Sequence, residues 1–379
     1  MTYITVKQSP MYHQMSLEEF LFENSFTPTL INANTGNTRT YETEFVSPKF
    51  MRHISVSELI AKLMEFNRST ESLRAVPRPE LYRTFYIPKK SGGLRRIDAP
   101  NDELMNALRT LKTMFETDFY ALYHTSAYAY IGGRSTVDAL KKHQQNESKW
   151  FAKFDLSDFF GSTTLDHTMK MLSMVFPFSE VAKNEAGRQA LEKAVELAFL
   201  NGGLPQGTPL SPLLTNIIMI PIDYKLTKAL RDFNHQRYVY TRYADDFLVS
   251  SKYDFNFRRV EKLISDTLAE FEAPFKLKAE KTRYGSSAGS NWNLGLMLNK
   301  DNQITVGHKN KKQFQAMLVN YIMDKKNGTQ WELNDIQTME GYRNYYRMIE
   351  GETIDRIVEH INRKFSVNVV DMIKSDLRV

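Results

Sequence analysis

The sequence predicts an α+β fold, a mixed sheet flanked by helices and followed by a helical C-terminal part. Short apolar runs of strand composition alternate with longer amphipathic segments from about residue 82 to about 273. From about residue 305 the pattern is mostly helical. The chain has 379 residues, 42% hydrophobic and 25% charged, a balance that at this length suits two or three packed subdomains.

Residues 1 to about 78 mix short apolar runs with polar loops such as "NANTGNTRT", and within them "ISVSELIAKLMEFN" reads as a capped amphipathic helix. The prolines of "RAVPRPEL" disfavour regular structure, so that stretch reads as a linker. "YRTFYI" and "RIDA" read as strands on either side of the basic glycine turn "PKKSGGLRR". "NDELMNALRTLKTMFE" follows as a helix with Asn101 or Asp102 as its cap. "KWFAKFDL" is a strand, while "LDHTMKMLSMVF" and "EAGRQALEKAVELAFL" are helices. "GLPQGTPLSPLLTNIIMIPIDYKLTKAL" starts as a loop and continues as one long helix. "RYVYTRYADDFLVSS" reads as a hairpin, with "RRVEKLISDTLAEFEA" as the helix after it. "NKKQFQAMLVNYIMDK" and "TIDRIVEHINRKF" are examples of the C-terminal helices.

The chain contains no cysteine, which excludes disulfides and thiolate metal sites and fits a reducing, cytoplasmic home. No segment approaches the roughly 20 apolar residues that span a bilayer, and the N-terminus lacks a signal-peptide pattern, so no membrane partner is expected. A net charge of +6 leans towards a polyanionic partner.

Asp245 and Asp246 sit side by side in an apolar stretch, where strand neighbours would point to opposite faces and bury one charge. A tight hairpin turn removes the conflict, because both acids then project from its tip. Acid pairs are most often turn or surface residues. A third acid, Asp155, ends another apolar strand, and strand ends meeting at one sheet edge would bring all three together. Clustered carboxylates repel unless a cation lies between them. Hard oxygen ligands select Mg²⁺ or Mn²⁺, and two ions about 4 Å apart form the clamp of in-line phosphoryl transfer.

Tyr243-Ala244-Asp245-Asp246 resembles the YxDD box of reverse transcriptases, "FDLSDFF" their first catalytic box, and "GLPQGTPLSPLLTN" their dNTP-side box. "YIPKKSGGLRRIDAP", "EKTRY" and "NLGLML" resemble the fingers motif, the segment after the hairpin and the primer grip, all in family order. The resemblance implies a right-hand polymerase fold: an N-terminal extension over 1–78, fingers and palm over 79–304, and a helical thumb over 305–379. It implies Asp155, Asp245 and Asp246 as catalytic metal ligands for two Mg²⁺ ions (or Mn²⁺), aided by the Leu156 carbonyl. It places Lys89, Arg95, Phe160, Gln206 and Lys281 at the nucleotide, with Leu294 and Gly295 in the primer grip. An aromatic at Phe160 would clash with a 2′-hydroxyl and favour dNTPs. Lys278 stands where many relatives have Asn. The aromatic-rich "GYRNYYRMIEG" resembles the thumb of bacterial enzymes, where its Tyr and Arg residues track a duplex or stack in the thumb core. Asp158 reads as a helix-entry acid, and His143 in "KKHQQN" as a solvated surface histidine.

Nothing resembles an RNase H, protease, integrase or zinc-finger nuclease, so the resemblance is to the bacterial retron and defence-associated group. Two departures from the retron pattern are an extra residue between Ala139 and His143, and Asn293-Leu294-Gly295 in place of Val-Thr-Gly. The implied activity is RNA-directed DNA polymerisation from a primer 3′ end, copying a dedicated structured non-coding RNA in antiphage defence. The implied partners are that RNA template, a DNA or RNA primer and its RNA–DNA hybrid, dNTPs, and an accessory or toxin protein. The alternatives are template-independent DNA synthesis of abortive-infection type, a true retron enzyme making msDNA, and a non-catalytic RNA-binding scaffold.

Overall fold

In a computed structural model of the chain, residues 29–31, 38–40, 55–89, 92–119, 123–233, 237–287 and 295–378 are described. Strands β1 (Thr29–Ile31) and β2 (Thr38–Thr40) pair antiparallel. Helix α1 (Val56–Ser69) starts where the Ser55 hydroxyl accepts from the Glu58 amide, and buries Leu59, Leu63 and Phe66. Strands β3 (Tyr82–Pro88) and β4 (Leu94–Pro100) form an antiparallel hairpin around Gly92 and Gly93, at φ 87° and 77°, a backbone that favours glycine. Asn101 caps α2 (Asp102–Thr117), and a Ser135/Asp138 capping box opens α3 (Thr136–Gln145).

Strand β5 (Trp150–Asp155) leads through a single helical turn, Phe159–Ser162, into α4 (Leu165–Leu172) and then α5 (Glu185–Glu196). The long helix expected after "GLPQG" is two: α6 (Ser211–Ile218) and α7 (Ile220–Asp232). Pro221 explains the break. Its ring has no N–H to continue the ladder but suits a helix's first turn.

Strands β6 (Val239–Tyr243) and β7 (Asp246–Ser251), helix α8 (Phe257–Glu270) and strand β8 (Arg283–Ser286) follow. The central sheet has the order β6-β7-β5-β8 with antiparallel neighbours. Parallel pairing among the described residues is confined to the bridge Ala127↔Arg242.

Directly paired residues share a face. Ala152, Phe154, Phe247, Val249 and Tyr240 therefore line one side, packed on Ile218, Ile222 and Leu226 and on Val260, Ile264 and Leu268. Phe151 and Leu248 line the other, against Leu140, Leu296 and Leu298. A separate core joins α1 to Leu104–Phe119, Leu191, Val195 and Leu213, so residues on both sides of 78 share it.

The C-terminal part carries the small hairpin β9 (Met297–Leu298) and β10 (Ile304–Thr305), then α9 (Gly307–Lys326), α10 (Leu333–Phe365) and α11 (Val369–Asp376). "TIDRIVEHINRKF" is the second half of α10, which kinks at Glu350 (φ −133°, ψ 56°). There the Glu350 carboxylate accepts from the Thr305 hydroxyl and the Val306 amide, at 2.8 and 2.9 Å, and pairs with Lys311 at 2.8 Å.

One expectation fails outright. His143 is fully buried, with Nδ1 2.5 Å from Ser250 Oγ and Nε2 2.8 Å from Thr241 Oγ1. Burial pushes its pKa down to about 3, so the ring is neutral. The surrounding Lys, Gln and Asn residues are polar, yet Ala139, Leu140 and His143 form the single buried stripe of α3.

Candidate active site

Tyr243 pairs with Asp246, leaving Ala244 and Asp245 as a two-residue turn. Ala244 lies at φ 55°, a left-handed conformation that costs an L-residue about 1–2 kcal/mol. The turn is tied to the next strand by the Leu156 amide, which donates to the Asp245 carbonyl at 3.0 Å. Asp155 and Asp246 are direct cross-strand partners and so project from one face, with Asp245 beside them at the tip.

The electrostatics are strained. Burial, then the charge of Asp155, pushes the Asp245 carboxyl above its usual range. Burial also raises Asp246, with Lys153 opposing at 3.0 Å. Lys281 donates to both Asp155 oxygens at 2.9 Å, and Lys278 stands 3.4 Å away. The Lys281 ammonium is held protonated above its ordinary range, first by the bond to Asp155. Lysines thus neutralise two of the acids, and among the described residues no three acidic or histidine side chains form a ready metal cage. Asp246 Oδ1, however, is buried without a hydrogen-bond partner. A buried anionic oxygen left unpaired is costly, and beside two further carboxylates it suits a hard divalent cation. The residues fit such an ion.

The residues expected at the nucleotide are brought together by backbone ties. Phe160 lies in the turn after β5, edge-on to Tyr130 at 6.3 Å. The Phe160 carbonyl accepts from the Leu204 amide at 3.0 Å, and the Gln206 carbonyl accepts from the Asp98 amide at 2.8 Å. The "LPQG" loop therefore straps Phe160 to the β3–β4 hairpin. A Cβ on Gly203 would lie 2.1 Å from the Gly161 carbonyl oxygen, so the strap needs glycine there. Asp158 opens the Phe159–Ser162 turn at φ 41°.

Burial, then the charge of Asp245, pushes the Tyr130 hydroxyl up, with the charge of Arg95, which pairs with Ile87 in the β3–β4 hairpin, opposing the rise. Lys89 stands exposed at the hairpin tip, its amide bonded to the Gly93 carbonyl. Neither residue pairs with the three acids among the described ion pairs. Leu156 is buried against Leu277, and Gly295 has φ 82° next to buried Leu296, while Leu294 lies outside the described residues. Three neighbours of the site escaped the sequence reading: Tyr130, Lys153 and Arg242. For Arg242 a signal existed, a charged residue inside the buried strand "YVYTRY".

Residues 87–317 match the family described as reverse transcriptase (RNA-dependent DNA polymerase). The chain belongs to that family and is an RNA-directed DNA polymerase with the right-hand fold. Its similarity is to bacterial retron enzymes. Retron Ec73 reverse transcriptase of Escherichia coli is 30% identical over 274 residues, covering 68% of this chain and 80% of the relative. Retron Ec83 reverse transcriptase, also from Escherichia coli, is 24% identical over 77% of this chain and 89% of the relative. Retron Mx65 reverse transcriptase of Myxococcus xanthus is 28% identical over 62% of this chain and 55% of the relative. Dependence on a divalent metal comes with the family. No described helix is long and apolar enough to cross a membrane.

Proposed function

We propose that this polymerase uses two Mg²⁺ ions to add dNTPs to a primer 3′ end, copying a dedicated structured non-coding RNA in antiphage defence. The observation that carries the metal reading is the in-register pair Asp155↔Asp246 with an unpartnered buried carboxylate oxygen. Asp155, Asp245, Asp246 and the Leu156 carbonyl would hold the ions. What bound divalent ions supply is charge for the attacking 3′ oxygen and the departing pyrophosphate.

The chain's own residues do the rest. Lys89 and Arg95 grip the triphosphate with fixed cations. Phe160 underlies the sugar and excludes a 2′-hydroxyl, Gln206 lies against the nucleotide or template, and Lys281 stays within reach of the reacting phosphate. Leu294 and Gly295 support the primer end. Residues 79–304 serve as fingers and palm, with α1 adding to their core, 305–379 serve as thumb, and the segment before them meets RNA or a protein partner in the cytoplasm.

The likeness to retron enzymes favours one variant, a retron enzyme making msDNA. Sequencing the nucleic acid that copurifies from cells tests both. RNA-linked DNA copied from one structured transcript is expected, and untemplated homopolymer would overturn the templated reading.

A further inference from the structure

We infer that Arg242 is a positioning residue: anchored by Asp223 and Asn216, it holds the Ala244–Asp245 peptide in the geometry that presents the acids. The inference rests on the metal reading above and adds what supports the turn from beneath. Arg242 is 1% exposed and is the largest fully buried side chain among the described residues. Both partners of the Arg242–Asp223 ion pair have wholly buried side chains.

The guanidinium is used on each of its nitrogens. Nε donates to the two Asp223 oxygens at 3.0 and 3.1 Å, and Nη2 donates to Oδ2 at 2.8 Å. Nη1 is shared between Asn216 Oδ1 and the Ala244 carbonyl, each at 3.2 Å. The Tyr240 hydroxyl donates to Asp223 Oδ1 at 2.7 Å, and Asn216 Nδ2 donates to the Ala129 carbonyl at 2.8 Å. On the backbone, the Arg242 amide donates to the Ser126 carbonyl at 2.6 Å and its carbonyl accepts from Tyr128 at 2.9 Å. One buried charge pair thus joins α6, α7, the segment leading to Tyr130 and the catalytic turn.

Asp223 alone would satisfy the buried charge. The bond to Ala244 does something else: it fixes the carbonyl of the peptide whose amide belongs to Asp245, at the one strained residue of the turn. A planar fork can hold Asp223 and that carbonyl together, whereas a lysine ammonium on a flexible stem cannot keep the same geometry.

The test is Arg242→Lys. Supporting partners of metal sites typically change affinity 10–100-fold, so Mn²⁺ binding followed by EPR should weaken on the order of tenfold. The kcat of primer extension should fall with it, while KM for dNTP stays within about twofold. Adding Ala244→Gly should restore part of the Mn²⁺ affinity, because glycine adopts positive φ without a Cβ penalty. Asn216→Ala leaves the ion pair intact, and a smaller loss, about threefold, is expected there, which keeps the test alive if Arg242→Lys does not fold.

Wild-type Mn²⁺ affinity in Asn216→Ala, or in folded Arg242→Lys, overturns the inference. So does an affinity loss that Ala244→Gly leaves untouched, since that marks a purely structural role. Wild-type protein that binds Mn²⁺ yet extends no primer sinks the proposed function alone, and wild-type protein that binds no Mn²⁺ sinks both.

Discussion

Removing the Asp245 charge should make the metal-free protein more stable. The Asp245 carboxyl is raised by burial and by Asp155, and its side chain relies on its own backbone amide. A carboxyl whose folded pKa lies above its unfolded value is a cost at neutral pH, and that cost fades as pH falls through the folded pKa. Asp245→Asn removes the charge and keeps an acceptor oxygen of the same shape. Relief of this kind contributes about 0.5–2 kcal/mol. At about 2.1 cal/mol/K of unfolding entropy per residue, that is a Tm rise of about 1 °C per kcal/mol in a 379-residue chain. The assay is thermal unfolding in EDTA at pH 7.5 and pH 5, then in Mg²⁺. In EDTA the variant should melt higher, and the gap should narrow at pH 5. In Mg²⁺ the order should reverse: ligand at a hundred times its Kd stabilises by about 2.7 kcal/mol, available to the wild type only. A variant less stable in EDTA, or a gap that widens at pH 5, would refute the electrostatic reasoning.

Phe160→Ala should admit ribonucleotides, read as a fall of about tenfold or more in the dNTP/rNTP ratio of kcat/KM, with dNTP incorporation retained. Unchanged sugar selection would remove Phe160 from the nucleotide site. His143 is neutral in the fold with a pKa of about 3, so its contribution is complete above the unfolded value and is lost as pH falls below it. The slope approaches about 1.4 kcal/mol per pH unit below about 6.5. Chemical denaturation from pH 7 to 5 should therefore show a shallower pH dependence in His143→Asn than in the wild type.

Strand ends and turn chemistry were legible from the residues. "FDL" and "YADD" were expected to end strands at one sheet edge, and the register pairs Asp155 with Asp246. Side-chain partners across long separations were not. Lys153 looks like the solvated member of an alternating strand, but its diagonal neighbour is Asp246. Arg242 and Asp223 lie on different elements, and neither declares a partner in sequence. His143 sits in a polar run whose composition hides a one-residue-wide buried stripe. The break at Pro221 is legible in the proline itself, although the apolar run continues through it. The Glu350 kink comes from a tertiary carboxylate contact that helical periodicity does not encode.

The central claim is met most directly by primer extension with the purified chain, an RNA template, an annealed DNA primer, dNTPs and Mg²⁺. DNA complementary to the template is expected, and its synthesis is abolished by EDTA and by Asp155→Asn. Extension that persists in folded Asp155→Asn, or that ignores the template sequence, would contradict it.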